Sequence, residues 1–173
     1  MEIIEEPNIE RRVNYIFEGP FELPIVNEAI SFLNNNSESV NLFINTPGGY
    51  TSYIHPLSRA IEEYGDITLF PIEECSSAGF FLLLKTTAPI RLMDKTIRCL
   101  IHFPRIETLL DVNKNHIYNK IDFENNQKQT GFKDCLKNLP LPIKQMKKLM
   151  KGEDVILYYD DLLEIFKDRI IHE

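Results

Sequence analysis

The feature that most constrains the fold is a repeated succession of a short apolar strand pattern and a longer helical pattern. Three strand–helix pairs occur in order: Val13–Glu18 with Pro24–Asn34, Val40–Ile44 with Tyr50–Tyr64, and Ile67–Ile72 with Phe80–Lys85. Two further short strands are predicted over Ile90–Met93 and Arg98–Ile101. Repeats of this length favour an α/β domain with parallel strands and right-handed crossovers. In such a domain, functional sites lie at the carboxyl ends of the strands.

A serine lies at the break between the third strand and its helix. Ser77 sits in the segment Glu74–Gly79 (ECSSAG), just before the apolar helical run. The N-terminus of a helix offers free backbone N–H groups and a favourable dipole to a developing negative charge. Ser77 is therefore a candidate nucleophile, although a serine turn of this kind on its own is more often a helix cap. Cys75 is either a rival nucleophile or a small buried apolar side chain.

A second glycine-rich turn and a histidine strengthen the nucleophile hypothesis. The second strand runs into Thr46–Gly49 (TPGG), where proline fixes φ and the glycines permit positive φ. Backbone N–H groups in such a turn can point toward a ligand, as an oxyanion hole requires. His102 follows the last short strand, 25 residues after Ser77. It is a candidate base, although a lone histidine in this setting is more often a core or edge residue.

Three ordered motifs resemble those of the Clp protease proteolytic subunit family, ClpP. They are Ile44–Gly49 (INTPGG), Ser76–Leu83 (SSAGFFLL) and Leu100–Pro104 (LIHFP), against family patterns that read approximately INSPGG, AASMGAFLL and MIHQP. The resemblance extends over about residues 12 to 168 and is strongest from 40 to 104. It implies that Ser77 attacks a peptide carbonyl and that His102 takes and returns the proton. It also implies that the backbone amides of Gly49 and Ala78 bind the oxyanion.

The resemblance further implies an acidic third member of a catalytic triad. Asp154 begins the segment Asp154–Leu157 (DVIL), which is similar to the family's D-x-F-L, and an acidic-apolar helix start follows it. Asp154 is therefore the predicted acid, whose role is to hold the histidine tautomer and to stabilise imidazolium. Glu153 is its neighbour, and a single insertion or deletion would exchange the two. Without the other motifs, Asp154 would be interpreted as a solvated loop carboxylate.

The resemblance implies a fold, an assembly and a substrate. The implied fold is α/β, a ClpP/crotonase-like spiral of ββα units in one domain, residues 1–173. Residues 12–104 and 150–173 would form the head, and residues 105–149 a protruding helical handle. The implied function is a serine endopeptidase in a homo-oligomeric ring. Its substrates would be peptides or unfolded proteins, and it would need no cofactor.

Two departures from the family pattern bear on the partners. Only the short segment Met1–Arg11 precedes the resemblance, too little for the family's axial loops, so we expect any peptide hydrolysis to proceed without a Clp ATPase. Arg105–Glu107 (RIE) replaces the family's Gly-rich segment after the histidine, which puts substrate binding and double-ring assembly in doubt. The alternatives are a catalytically weak or silent ring component and a crotonase-like acyl-CoA enzyme. The latter shares the fold and the oxyanion turns but does not need Ser77 with His102.

Charge and composition argue against several other classes. The net charge of −7 and the isoelectric point of about 5.2 disfavour a nucleic-acid-binding surface. Three scattered cysteines, Cys75, Cys99 and Cys135, indicate reduced thiols in a cytoplasmic protein. The histidines have no metal-ligand spacing, so no metal site is expected. We also expect no membrane association, because no apolar run reaches the roughly 20 residues of a spanning helix and no signal peptide is visible.

Overall fold

Residues 12–102, 136 and 139–171 are described by a computed structural model. The strands in this part are β1 (Arg12–Glu18), β2 (Ser39–Thr46), β3 (Ile67–Cys75), β4 (Arg98–Ile101) and β5 (Val155–Tyr158). The α-helices there are α1 (Leu23–Asn35), α2 (Ile54–Tyr64), α3 (Ala78–Lys85), α4 (Ile143–Met150) and α5 (Tyr159–Ile165). The predicted strand–helix succession is confirmed, and the described chain is an α/β protein.

The described strands form one mixed sheet in the order β1-β2-β3-β4-β5. β1, β2 and β3 run parallel, with Val13 opposite Val40 and Val40 opposite Ile67. Parallel neighbours need a crossover, which α1 and α2 provide while packing against each other. β3 pairs in parallel with β4 through Glu74 and Arg98, and β4 pairs antiparallel with β5. The carboxyl ends of β2, β3 and β4 therefore meet at one end of the sheet.

Helix α3 is enclosed by the rest of the protein. Its sequence, AGFFLLLK, is apolar on all sides, and the residues from Ala78 to Leu83 are all buried. A helix that is hydrophobic all round belongs in a core. Full burial of a phenylalanine such as Phe80 stabilises the fold by about 1.5–3 kcal/mol. This packing fixes the N-terminus of α3, where Ser77 is the cap residue.

A partly buried arginine holds the C-terminal end of α3. Arg169 donates from Nη1 to the carbonyl of Leu83 at 2.5 Å and from Nη2 to the carbonyl of Ala88 at 2.7 Å. Positive charge at this end of a helix is favoured by the helix dipole. Burial lowers the pKa of Arg169 to about 10. Both ends of α3 are thus tied to neighbouring segments, which limits its movement along its own axis.

The strand predicted over Ile90–Met93 is wrong. Ile90 alone makes bridges, one to Leu69 and one to Ile170. The amide of Ile90 donates to Arg169, and its carbonyl accepts from Ile171, both at 2.9 Å. The chain then turns around Asp94, whose carboxylate accepts from the amide of Thr96, so the pairing ends after one residue.

The first two helices also differ from their predicted bounds. Helix α1 ends at Asn35 rather than Asn34, and the following residue, Asn36, is extended with φ −109°. Its side-chain amide donates to the Glu38 carbonyl at 3.1 Å and to the Tyr64 hydroxyl at 2.6 Å, which holds the extended conformation. The second helix begins at Ile54 rather than Tyr50, because a 3₁₀ turn at Thr51–Tyr53 precedes it.

Most of the predicted handle lies outside the described residues, which omit 103–135 and 137–138. The segment before Arg12, Cys135 and the motif residues Phe103 and Pro104 lie outside them as well. Within the described ranges, none of the helices has both the length and the apolar character needed to cross a membrane.

Candidate active site

Ser77 occupies a strained turn between β3 and α3. It has φ 49° and ψ −113°, and Glu73 is the other non-glycine residue with positive φ in the described part of the chain. Such conformations cost on the order of 1–3 kcal/mol and persist only where the surroundings hold them. The Ser77 amide donates to the Leu100 carbonyl at 2.7 Å, and the Ser77 carbonyl accepts from the Phe81 amide at 3.1 Å. These bonds hold the turn in its strained conformation.

The glycine-rich turn after β2 lies directly against Ser77. A Cβ atom on Gly48 would be 2.5 Å from Ser77 Cβ and 3.1 Å from Ser77 Oγ. Gly48 also has φ 104°, a conformation that other residues rarely adopt. Its amide donates to the hydroxyl of the buried Thr46 at 3.1 Å. Glycine is thus required at position 48 both for its backbone conformation and for the approach of Ser77.

In the described part of the chain, the backbone amides of the two predicted oxyanion donors are not used by the fold. Gly49 forms a parallel bridge with Phe21, in which Phe21 donates to Gly48 and accepts from Tyr50. Amides alternate in direction along an extended chain, so the Gly49 amide points away from Phe21. Ala78 is the first residue of α3, where helix amides have no intrahelical acceptor. Among the described residues, neither amide has a hydrogen-bond acceptor.

His102 contacts the serine directly. It is the residue after β4, and its Nε2 lies 2.7 Å from Ser77 Oγ. With the imidazole proton on Nδ1, Nε2 accepts the serine hydroxyl proton in this hydrogen bond. About a third of the side chain is exposed, 31%. The arrangement is able to activate a serine hydroxyl toward an electrophilic carbon by removing its proton.

Asp154 lies on the other side of His102. The antiparallel register of β4 and β5 pairs Ile101 with Val155, so His102, which follows β4, and Asp154, which precedes β5, face each other. Asp154 Oδ1 is 4.0 Å from His102 Nδ1, and 52% of the Asp154 side chain is exposed. This distance permits Coulombic attraction but is too long for a hydrogen bond. Glu153 makes no ion pair with His102 in the described structure, so Asp154 is the nearer candidate acid.

The rival nucleophile is poorly placed. Cys75 is fully buried, and its thiol lies near Thr46, Gly79 and Cys99. A hydrogen bond with Cys99, together with burial, raises the pKa of Cys75 well above its usual value, which keeps the thiol protonated and unreactive. Cys75 and Cys99 are both free thiols. The interpretation of Cys75 as a small buried apolar side chain agrees with this placement.

A polar cluster that was not predicted from the sequence lies behind Ser77 and is centred on Ser76. Ser76 Oγ donates to Glu74 Oε1 at 2.7 Å and accepts from the Leu100 amide at 2.9 Å. The other carboxylate oxygen of Glu74 is 3.9 Å from Arg98 Nη2. A second serine next to the candidate nucleophile was the only sequence signal for this cluster, and its partners depend on strand pairing.

In the described ranges, no group of three or more His, Cys, Asp or Glu side chains is arranged to hold a metal ion. Comparison of the chain with protein-family models and with curated proteins gave no match.

Proposed function

We propose that this chain is a ClpP-like serine peptidase in which Ser77 is the nucleophile and His102 the general base. The observation that carries the proposal is the 2.7 Å contact between His102 Nε2 and Ser77 Oγ at a strained strand-to-helix turn. A capping serine needs neither a histidine on its hydroxyl nor positive φ, because helix caps normally have extended backbone. The proposed fold is the ClpP/crotonase-like spiral, supported by the parallel strands β1 to β3 with their crossover helices.

The proposed reaction is acyl transfer from a peptide bond. His102 removes the proton as Ser77 Oγ attacks the carbonyl carbon, and the histidine then protonates the departing amine. The amides of Gly49 and Ala78 donate to the negatively charged oxygen of the tetrahedral intermediate. Water, activated by the same histidine, hydrolyses the acyl-enzyme and restores the serine. All of these groups belong to the same chain, and none of them is supplied by a partner. We therefore propose that short peptides are hydrolysed without an ATPase.

A second candidate function is a catalytically weak or silent ring component. The observation that favours it is the separation of 4.0 Å between His102 Nδ1 and Asp154 Oδ1. At this distance Asp154 does not hydrogen-bond to Nδ1, so it holds the histidine tautomer and ring orientation less well, which can lower the rate of a triad by up to about 10⁴-fold. A crotonase-like acyl-CoA enzyme has less support, because that chemistry does not use the contact between serine and histidine.

We propose a homo-oligomeric ring as the assembly and peptides or unfolded proteins as the substrates. Several large apolar side chains are exposed on the described surface, and Ile16 on the edge strand β1 and Ile143 at the start of α4 are among them. Burial of such side chains between copies of the chain favours association. Sedimentation velocity at micromolar concentration tests the assembly. A ring predicts a species several times heavier than the 20.2 kDa chain, and a plain monomer would contradict it.

The activity is tested by hydrolysis of a set of short fluorogenic peptides. We expect the unmodified chain to cleave at least one of them and Ser77→Ala to be inactive. Ser58→Ala is the matched control, because it removes another serine hydroxyl, one that donates to the His55 carbonyl at 3.0 Å in α2. Equal cleavage by Ser77→Ala and Ser58→Ala would overturn the peptidase proposal. Ring formation without any cleavage would favour the silent component.

A further inference from the structure

We propose that Ser76 is a positioning residue for the reaction, acting through its hydroxyl on the relative placement of Ser77 and His102. This inference rests on the proposed peptidase function and adds to it a residue that does not touch the substrate. Ser76 is fully buried, and both the donor and the acceptor capacity of its hydroxyl are used. A buried hydroxyl with two partners fixes the separation of the segments that supply them.

Ser76 and Ser77 together hold the strand that carries the histidine. The Leu100 amide donates to Ser76 Oγ at 2.9 Å, and the Leu100 carbonyl accepts from the Ser77 amide at 2.7 Å. Leu100 is two residues before His102 on β4. The serine side chain therefore takes the place of a backbone carbonyl as acceptor, and the pair of bonds fixes the end of β4 against the serine turn.

This side-chain bond matters because regular pairing at this point is minimal. β3 and β4 share a single registered pair, Glu74 with Arg98, whereas β2 and β3 pair over most of their length. Beyond Glu74 the chain no longer pairs in register with β4, and two residues after Cys75 it forms the strained turn at Ser77. The bonds to Leu100 are thus what continues the connection between the two strands up to the candidate active site.

Ser76 also connects the serine turn to the glycine-rich turn. The Ser76 amide donates to the Thr46 carbonyl at 2.9 Å, and the Thr46 hydroxyl accepts from the Gly48 amide. Glu74 orients the Ser76 hydroxyl by accepting its hydrogen bond, which leaves a lone pair of the hydroxyl oxygen directed toward the Leu100 amide. One residue therefore bonds to the segments that supply the nucleophile, the base and one oxyanion donor.

The test measures the rate of covalent labelling by an alkyl fluorophosphonate over a range of probe concentrations. These rates give two separate quantities: the labelling rate at saturating probe and the probe concentration at half of that rate. In Ser76→Ala we expect the saturating rate to fall by about 10- to 100-fold, because small misplacements of reacting groups are costly in rate. The half-saturating concentration should change by less than about twofold, because probe binding is not affected. Ser76→Thr keeps the hydroxyl and should recover most of the rate. Ser58→Ala should behave as the unmodified chain does.

The outcomes separate this inference from the proposed function. If the unmodified chain is not labelled, the peptidase proposal fails and this inference fails with it. If the unmodified chain is labelled but Ser76→Ala has the same saturating rate, or differs only in the half-saturating concentration, the inference alone is overturned. Should Ser76→Ala not fold, Glu74→Ala decides, because it removes the acceptor that orients the hydroxyl from a partly exposed position. A slower saturating rate in Glu74→Ala supports the inference, and an unchanged rate overturns it.

Discussion

Replacing Gly79 by alanine tests how closely α3 packs against the glycine-rich turn. Gly79 is in the first turn of α3, and a Cβ atom there would lie 2.4 Å from Thr46 Cγ2 and 3.1 Å from Cys75 Sγ. Non-bonded carbon atoms normally approach no closer than about 3.5 Å. Thr46 is fully buried and branched at Cβ, so its methyl group has little room to move. The added methyl must therefore push α3 and the end of β2 apart.

The expected loss of stability follows from two opposing effects. Overpacking of a core by a methyl group costs about 1–3 kcal/mol, and alanine recovers up to about 1 kcal/mol over glycine in helix propensity. With the clash of about 1 Å at Thr46, we expect Gly79→Ala to lower the free energy of unfolding by about 2 kcal/mol. In a chain of this size that corresponds to a fall in melting temperature of about 4–8 °C.

A double-mutant cycle identifies the contact responsible. Thr46→Ser removes Cγ2 but keeps the hydroxyl that accepts from Gly48, and by itself should cost about 1 kcal/mol for one buried methyl. Combined with Gly79→Ala it should restore stability, giving a coupling of about 1–2 kcal/mol in urea unfolding. Additive effects of Gly79→Ala and Thr46→Ser would refute the packing argument.

Three further predictions concern the turns around the site. Gly48→Ala should lower the labelling rate by about 100-fold or more, because its Cβ would displace Ser77 and its φ is positive. Cys75 should resist iodoacetamide in the folded protein at pH about 8 and react after unfolding, since burial and its raised pKa keep the thiol protonated. Asp94→Asn should lower the melting temperature near neutral pH, and the difference should shrink in acid. Hydrogen bonds from Thr96 and Glu73 lower the Asp94 pKa, so its contribution is present above the ordinary carboxyl pKa and lost as pH falls through the folded value.

These three predictions have distinct contradicting results. Full labelling of Gly48→Ala would show that Ser77 does not need the close approach of that turn. Rapid alkylation of Cys75 in the folded chain would restore it as a rival nucleophile. A melting-temperature difference for Asp94→Asn that is the same at pH about 7 and pH about 3 would show that the charge of Asp94 is not what stabilises the turn.

The placement of the main site residues was predictable because it depends on strand order and direction. Gly49, Ser77 and His102 each follow a segment with strand periodicity, and parallel strands bring their carboxyl ends together. Asp154 was reached only through the family resemblance. Its position opposite His102 follows from the pairing of β4 with β5, which local patterns do not determine.

The parts that could not be predicted depend on long-range register and on single distances. Ser76 was indistinguishable from a spacer until the partner of its hydroxyl, Leu100, was known. Ile90 has strand propensity, but the hydrogen bonds of the Asp94 turn end its pairing after one residue. The separation of 4.0 Å between His102 and Asp154 bears most on the proposed activity, and no spacing in the sequence encodes it.

The central claim, that Ser77 is a nucleophile activated by His102, is tested most directly by locating the covalent adduct of an alkyl fluorophosphonate. The folded chain is treated with the probe, digested and analysed by mass spectrometry, beside Ser77→Ala and His102→Ala. The account predicts one adduct on Ser77, none in Ser77→Ala, and labelling slowed by at least about 100-fold in His102→Ala. An adduct on Ser76 or Cys75, labelling that does not depend on His102, or no adduct on the folded chain would contradict it.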